Sequence, residues 1–213
     1  VQNPISAEMA VMRTTLWVGL LGAASYNLKR QQPRVRLFET GQKFVKDASQ
    51  TDGRLQSQAI AGLICGARLP ESWNGGRDKV DFYDIKADVE ALLAPLNGAV
   101  VYQAIDSAEQ PALHPGQAAR IELNGESIGY LGALHPSLYK PLSISQTVYL
   151  FQLDQAALSR RPVAEFTPLS NQPAVRRDLA FTVADAVVAG ELLATARQAA
   201  GNRLTELTLF DLY

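Results

Sequence analysis

From residue 99 to residue 153 the chain passes through four short apolar segments, near 99–105, 118–123, 127–133 and 147–153. The connections after the second and third are "NGES" and "HPSLYKPLS". Turns of this kind link antiparallel neighbours. What precedes them narrows the fold further. Residues 14–30 carry apolar ridges at Leu16, Leu20, Ala24 and Leu28, and beside them at Trp17, Leu21 and Tyr26. This spacing predicts a helix with a wide buried stripe. Thr14 or Thr15 is the expected cap, Lys29 and Arg30 suit the C-terminal dipole, and Pro33 ends the segment. Strands are expected at 35–45 and 57–66, a loop at 67–79, and a helix at 81–94 with Phe82, Ile85, Val89, Leu92 and Leu93 on one side. The order helix, strand pair, helix, four strands contains no regular βαβ alternation. The predicted class is α+β around an antiparallel sheet.

A second pattern follows. Residues 155–174, with three prolines and mixed polarity, read as a linker. A strand at 176–183, a helix at 189–200 and a strand at 204–213 then form one β-α-β unit, which is half of a ferredoxin-like domain. The first residue is Val1, and the sequence stops on the apolar "LTLFDLY", so it reads as a piece of a longer protein.

Composition removes several function classes. The 213 residues carry a formal charge of −1, which leaves no global electrostatic footprint for nucleic acid. With 47% hydrophobic and 19% charged residues, the chain can bury a core. One cysteine, Cys65, excludes an internal disulfide, and its apolar setting "AIAGLICGA" marks it as a small buried hydrophobe. No apolar run reaches the roughly 18 residues of a membrane span. No signal peptide opens the sequence, so a cytoplasmic location is expected.

The motifs "NPIS", "MRTTLWVGLL", "YNLKRQQPRVRLFETGQKF", "VDFYDIKADVEALL", "LHPGQAARI", "GYLGALHPSL" and "QPAVRRDLAF" follow one another over nearly the whole chain. Together they resemble the C-terminal part of the β subunit of bacterial phenylalanyl-tRNA synthetases. That resemblance implies a class II synthetase-like core for residues 1–160 and, for 161–213, a linker with the first half of a ferredoxin-fold anticodon-binding domain. It implies a tRNA ligase subunit that works with an α subunit in an α2β2 heterotetramer and contacts tRNA. ATP and magnesium are implied for the whole enzyme, and no cofactor for this piece.

The same resemblance allows a chemical test. Class II synthetases hold ATP with an arginine that follows a phenylalanine on the second motif strand, since a guanidinium fork suits a phosphate. Aligning Phe44 with that phenylalanine puts Val45 at the arginine position and Asp47 at the acidic one. Lys46 is one residue off and points to the opposite strand face. Neither a Glu-Arg dipeptide nor a Gly-x-Gly-x-Gly run occurs to supply a third motif. The expectation is a support for catalysis, with no catalytic residue of its own.

The remaining candidates have plainer readings. His114 and His135 each precede a proline and suit turns, and two histidines do not make a metal site. Asp78, Asp81, Asp84 and Asp88 suit the start and face of a helix. Trp73 is expected to pin its loop against the core. Parity in "RRDLAFTV" puts Leu179, Phe181 and Val183 toward the helix with Leu192, Leu193 and Ala196. Arg176 then lies on the open sheet face and Arg177 at the edge of the covered one, as candidate RNA-backbone contacts. Pairing of Arg176 with Asp178 or Glu165 is the structural alternative. For the chain as a whole, the alternative is a stand-alone synthetase-like binding or regulatory module.

Overall fold

The computed structural model describes residues 3–163, 166, 168 and 171–212. Its contacts divide into two compact units, residues 1–164 and 165–213.

The first unit is built on one sheet of β1 (Arg34–Lys46), β2 (Arg54–Gly66), β3 (Val100–Ala104), β4 (Leu113–Leu123), β5 (Glu126–Leu134) and β6 (Val148–Asp154). The spatial order is β1-β2-β6-β5-β4-β3, and every neighbouring pair is antiparallel. The fold class expected from the turns is therefore the one observed, α+β on an antiparallel sheet. The "NG" of "NGES" makes a two-residue hairpin, with Asn124 and Gly125 both at positive φ. β5 and β6 approach closely at Gly129, whose φ is +156°, and a Cβ there would lie 2.0 Å from the Gln152 carbonyl oxygen.

Two helices cover the two faces. α1 (Trp17–Leu28) packs on the β1 and β2 side, burying Leu16, Trp17, Leu20, Leu21 and Ala24 with Leu63, Cys65, Val148 and Leu150. α2 (Phe82–Leu93) lies on the opposite face, where Ile85, Val89 and Leu93 join Ile64, Ile121, Leu131 and Phe151. Coverage on both faces explains why "VYLF" in β6 is continuously apolar and does not alternate.

Two details of α1 differ from expectation. Tyr26 is 57% exposed, and Ser25 takes the buried position, its hydroxyl donating to the Leu142 carbonyl at 2.8 Å. Eight residues separate Trp17 from Ser25, close to two helical turns and a fraction, whereas Tyr26 is rotated a further step away. The helix start is also served from outside its own segment. Thr15 Oγ1 accepts from the Trp17 amide at 3.2 Å, while Gln152 Oε1 on β6 accepts from the Leu16 amide at 2.9 Å.

In the second unit, α4 (Ala189–Ala200) forms where expected. The strands expected at 176–183 and 204–213 are not paired into a sheet. In a split β-α-β unit another strand lies between the two that flank the helix, and no strand among the described residues fills that place. The burial expected from parity is likewise not observed: Leu179 is 80%, Phe181 59% and Val183 44% exposed. In the expected linker, Gln155–Leu158 forms the short helix α3, begun by the Asp154 side chain accepting from the Ala156 amide at 3.0 Å.

Candidate functional site

β1 and β2 run on past β6, which pairs only with Ala59–Cys65 of β2. Their free ends make a two-stranded arm that carries the residues compared above with a phosphate clamp. Register is continuous along β1, so Val45 lies on the side of Glu39 and Gly41 and Lys46 on the other. The first side faces α1, because a Cβ on Gly41 would meet Arg13 and Leu16. Val45 is 42% exposed there. Asp47 caps the arm's turn, accepting from the amide and the hydroxyl of Ser49 at 2.9 and 2.7 Å. Those hydrogen bonds hold its carboxyl below the usual carboxylate range.

Next to this arm, on the α1 face, one register row crosses all six strands. Its members are Glu39, Ala61, Gln152, Tyr130, Arg120 and Gln103, each directly opposite the next. Five of the six are polar, and they bond among themselves and to adjacent loops. Arg13 pairs with Glu39 and donates to the Gln42 carbonyl at 2.9 Å. Thr15 donates to Gln152 at 2.8 Å. Arg120 reaches Glu109 at 2.8 Å, Glu122 at 3.1 Å and Gln103 at 2.6 Å. The hydrogen bonds to Glu109 and Glu122 raise the Arg120 pKa. Partial burial, then the nearby Glu109 carboxylate, pushes the Tyr130 hydroxyl up. A ligand phosphate at this row would have to displace a carboxylate to reach either arginine.

This row is not visible along the chain. A lone Gln in "VYLFQLD" and a lone Arg in "AARIEL" are the signal, but only the strand register aligns them. The sites singled out from the sequence are dispersed. Asp81 caps α2, accepting from Tyr83 and Asp84 amides at 2.8 and 3.1 Å, and Asp84 returns the bond to the Asp81 amide at 2.8 Å. Arg68 bridges both carboxylates, and Asp88 pairs with Arg36. His114 Nδ1 accepts from the Gly116 amide at 3.0 Å, and His135 Nδ1 from the Ser137 amide at 3.2 Å, so each closes a turn. Among the described residues no three His, Cys, Asp or Glu side chains group as metal ligands. Trp73 is 96% exposed, contrary to the pinning expected of it, because "ESWNGG" keeps its own short-range turns.

Arg176 and Arg177 lie in the second unit, both exposed. The Nε of Arg176 meets Asp178 Oδ1 at 3.3 Å, with 82% of the arginine side chain open to solvent. Such a pair contributes little to stability and leaves the guanidinium accessible. Glu165, the other partner considered, lies outside the described residues.

Two family matches divide the chain. Residues 1–155 match the family described as the phenylalanyl tRNA synthetase beta chain CLM domain, and residues 170–213 match the ferredoxin-fold anticodon binding domain. Relatives named phenylalanine–tRNA ligase beta subunit are similar over 99% of this chain. Those of Pseudomonas fluorescens and Pseudomonas putida are 49% identical, and that of Haemophilus influenzae 45%. The chain spans 26% of the length of each of these relatives. With the first family covering most of the sequence and the relatives nearly all of it, the chain belongs to the phenylalanyl-tRNA synthetase β-chain family.

Proposed function

We propose that this chain is the non-catalytic, synthetase-like core and anticodon-binding segment of a phenylalanine–tRNA ligase β subunit. The whole enzyme joins phenylalanine to its tRNA with ATP and magnesium in the cytoplasm. An α subunit, in an α2β2 assembly, supplies the chemistry, and this chain supplies a scaffold and part of the tRNA surface. Residues 1–160 are the class II-like core, and 161–213 are the linker and first half of the anticodon-binding domain. The observation that carries the reading is Val45. An apolar side chain stands where an ATP-binding core needs a guanidinium, and the two arginines nearest the same sheet face, Arg13 and Arg120, are each held by carboxylates. The residues present do not fit a metal–nucleotide complex, so no reaction step is assigned to them. Support for the tRNA role comes from the ferredoxin-fold family match and from the accessible Arg176 and Arg177. There the cations contact phosphates and do not read bases.

The test is phenylalanine-dependent ATP–pyrophosphate exchange. Purified β subunit alone should give only the background rate, and addition of the α subunit should restore exchange. Robust exchange by β alone, free of α, would overturn the reading.

A further inference from the structure

Three asparagines precede a glycine: Asn74, Asn97 and Asn124. This dipeptide is the reactive one, because a glycine nitrogen with no side chain beside it can reach the asparagine side-chain carbon and close a five-membered ring. The structure holds the three differently. Asn124 is tied twice to Ala99: its Oδ1 accepts from the Ala99 amide at 2.9 Å, and its own amide donates to the Ala99 carbonyl at 2.9 Å. Gly125 follows it in the two-residue hairpin closed by the Leu123–Glu126 pair. Asn97 has a left-handed backbone, with φ at 51°. Gly98 sits against the same hairpin, where an added Cβ would lie 2.5 Å from Leu123 and 3.0 Å from the Asn124 side chain. Ring closure at either site works against this join.

Asn74 is exposed, in the segment 70–78 between β2 and α2. The base of that segment is closed by the Arg68 amide on the Asp78 carbonyl at 2.8 Å and by the Ala67–Lys79 bridge. Within it, the Gly75 amide donates to the Ser72 carbonyl at 3.3 Å, so freeing that nitrogen opens nothing beyond the loop. The Ser72 hydroxyl donates to Asn74 Oδ1 at 2.9 Å. A donor there polarises the side-chain carbonyl and stabilises the charge that its oxygen gains under attack.

We propose that Asn74 is the preferred site of spontaneous deamidation in this chain, with Ser72 as its positioning residue. A base removes the Gly75 amide proton, and that nitrogen forms a bond to Asn74 Cγ. The Cγ–Nδ2 bond breaks, Nδ2 takes up a proton and leaves as ammonia, and a succinimide remains. Water then opens the ring. Addition at Cγ gives aspartate, and addition at the Asn74 backbone carbonyl carbon gives isoaspartate. The net change is NH for O, with nothing oxidised or reduced. Either product adds a carboxylate to a stretch in which Glu71 and Asp78 balance Arg77 and Lys79.

The experiment incubates full-length β subunit, native and in urea, at neutral and mildly alkaline pH, and follows it by tryptic mapping and mass spectrometry. Cleavage after Arg68, Arg77, Lys86 and Arg120 puts the three asparagines in separate peptides. Native protein should convert Asn74 about tenfold faster, or more, than Asn97 or Asn124. The rate should rise with pH, because the nucleophile is the deprotonated amide. In urea the three rates should converge, since the hydrogen bonds that distinguish the sites are gone. Ser72→Ala should slow native Asn74 severalfold, Ser72→Thr should restore the rate by keeping the hydroxyl, and neither should matter in urea. Gly75→Ala should also slow Asn74, because its Cβ crowds the attacking nitrogen. Equal native rates at the three sites, or protection of Asn74 that only urea removes, would overturn the proposal. A native Ser72→Ala rate equal to wild type would overturn the part given to Ser72.

Discussion

Cys65 is fully buried between α1 and the sheet, and burial pushes its thiol up to about 11 from 9.0. The unfolded chain ionises this thiol first, so the folded state holds more protons between those values. Its contribution to stability is therefore complete below about pH 9 and is lost as pH rises toward 11. A rise of that size corresponds to about 2–3 kcal/mol at most. Urea unfolding at pH 8 and pH 10.5 should show a larger loss for wild type than for Cys65→Ala, and equal losses would assign the alkaline sensitivity to the buried tyrosines. The burial of Cys65 was legible from its apolar neighbours. The bonding of Gln152 to the start of α1 was not, because 136 residues separate it from the Leu16 amide it serves.

Among the elements, α1 shows how far periodicity reaches. Its ridges at Leu16, Leu20 and Ala24 were readable and are buried, since a 3.6-residue repeat places them on one side whatever the neighbour. Leu20, 4% exposed, packs against the sheet face that includes Leu63 and Leu150. Leu20→Ala should cost about 2–5 kcal/mol in urea unfolding, as expected for a buried large-to-small change. A loss below about 0.5 kcal/mol would place the side chain in solvent. The outcome for 176–183 and 204–213 differs for the same kind of reason. Alternation marks residues able to form a strand, but a strand exists only when another backbone takes its hydrogen bonds. Leu179 and Phe181 carry the pattern and remain exposed.

At the level of the whole molecule, the two units differ in how much they bury. The sheet unit has its own two cores, one under each helix, while the second unit has no buried residue in α4. In the full α–β enzyme, Arg176→Ala should weaken tRNA binding modestly at every salt concentration. It should reduce the slope of log affinity against log salt by about 0.7–0.9, the value of one phosphate contact. Filter binding across a salt series measures this. An unchanged slope would leave the Asp178 pair as the residue's whole role.

Local chemistry was sufficient for much of this. The tight Asn124–Gly125 turn, the Asp81 cap and the helical ridges are properties of a few adjacent residues. That residue 45 is a valine and not an arginine was equally visible, because residue identity is fixed by the sequence. Tertiary structure alone decided which strands are neighbours. β2 pairs with β6 across a long stretch of intervening chain, and that join carries Glu39 and Gln152 into one row with Arg120. It also decided which exposed surfaces remain. Tyr26 shares a sequence ridge with Leu21, and only packing on the sheet separates the one that is buried from the one left facing out.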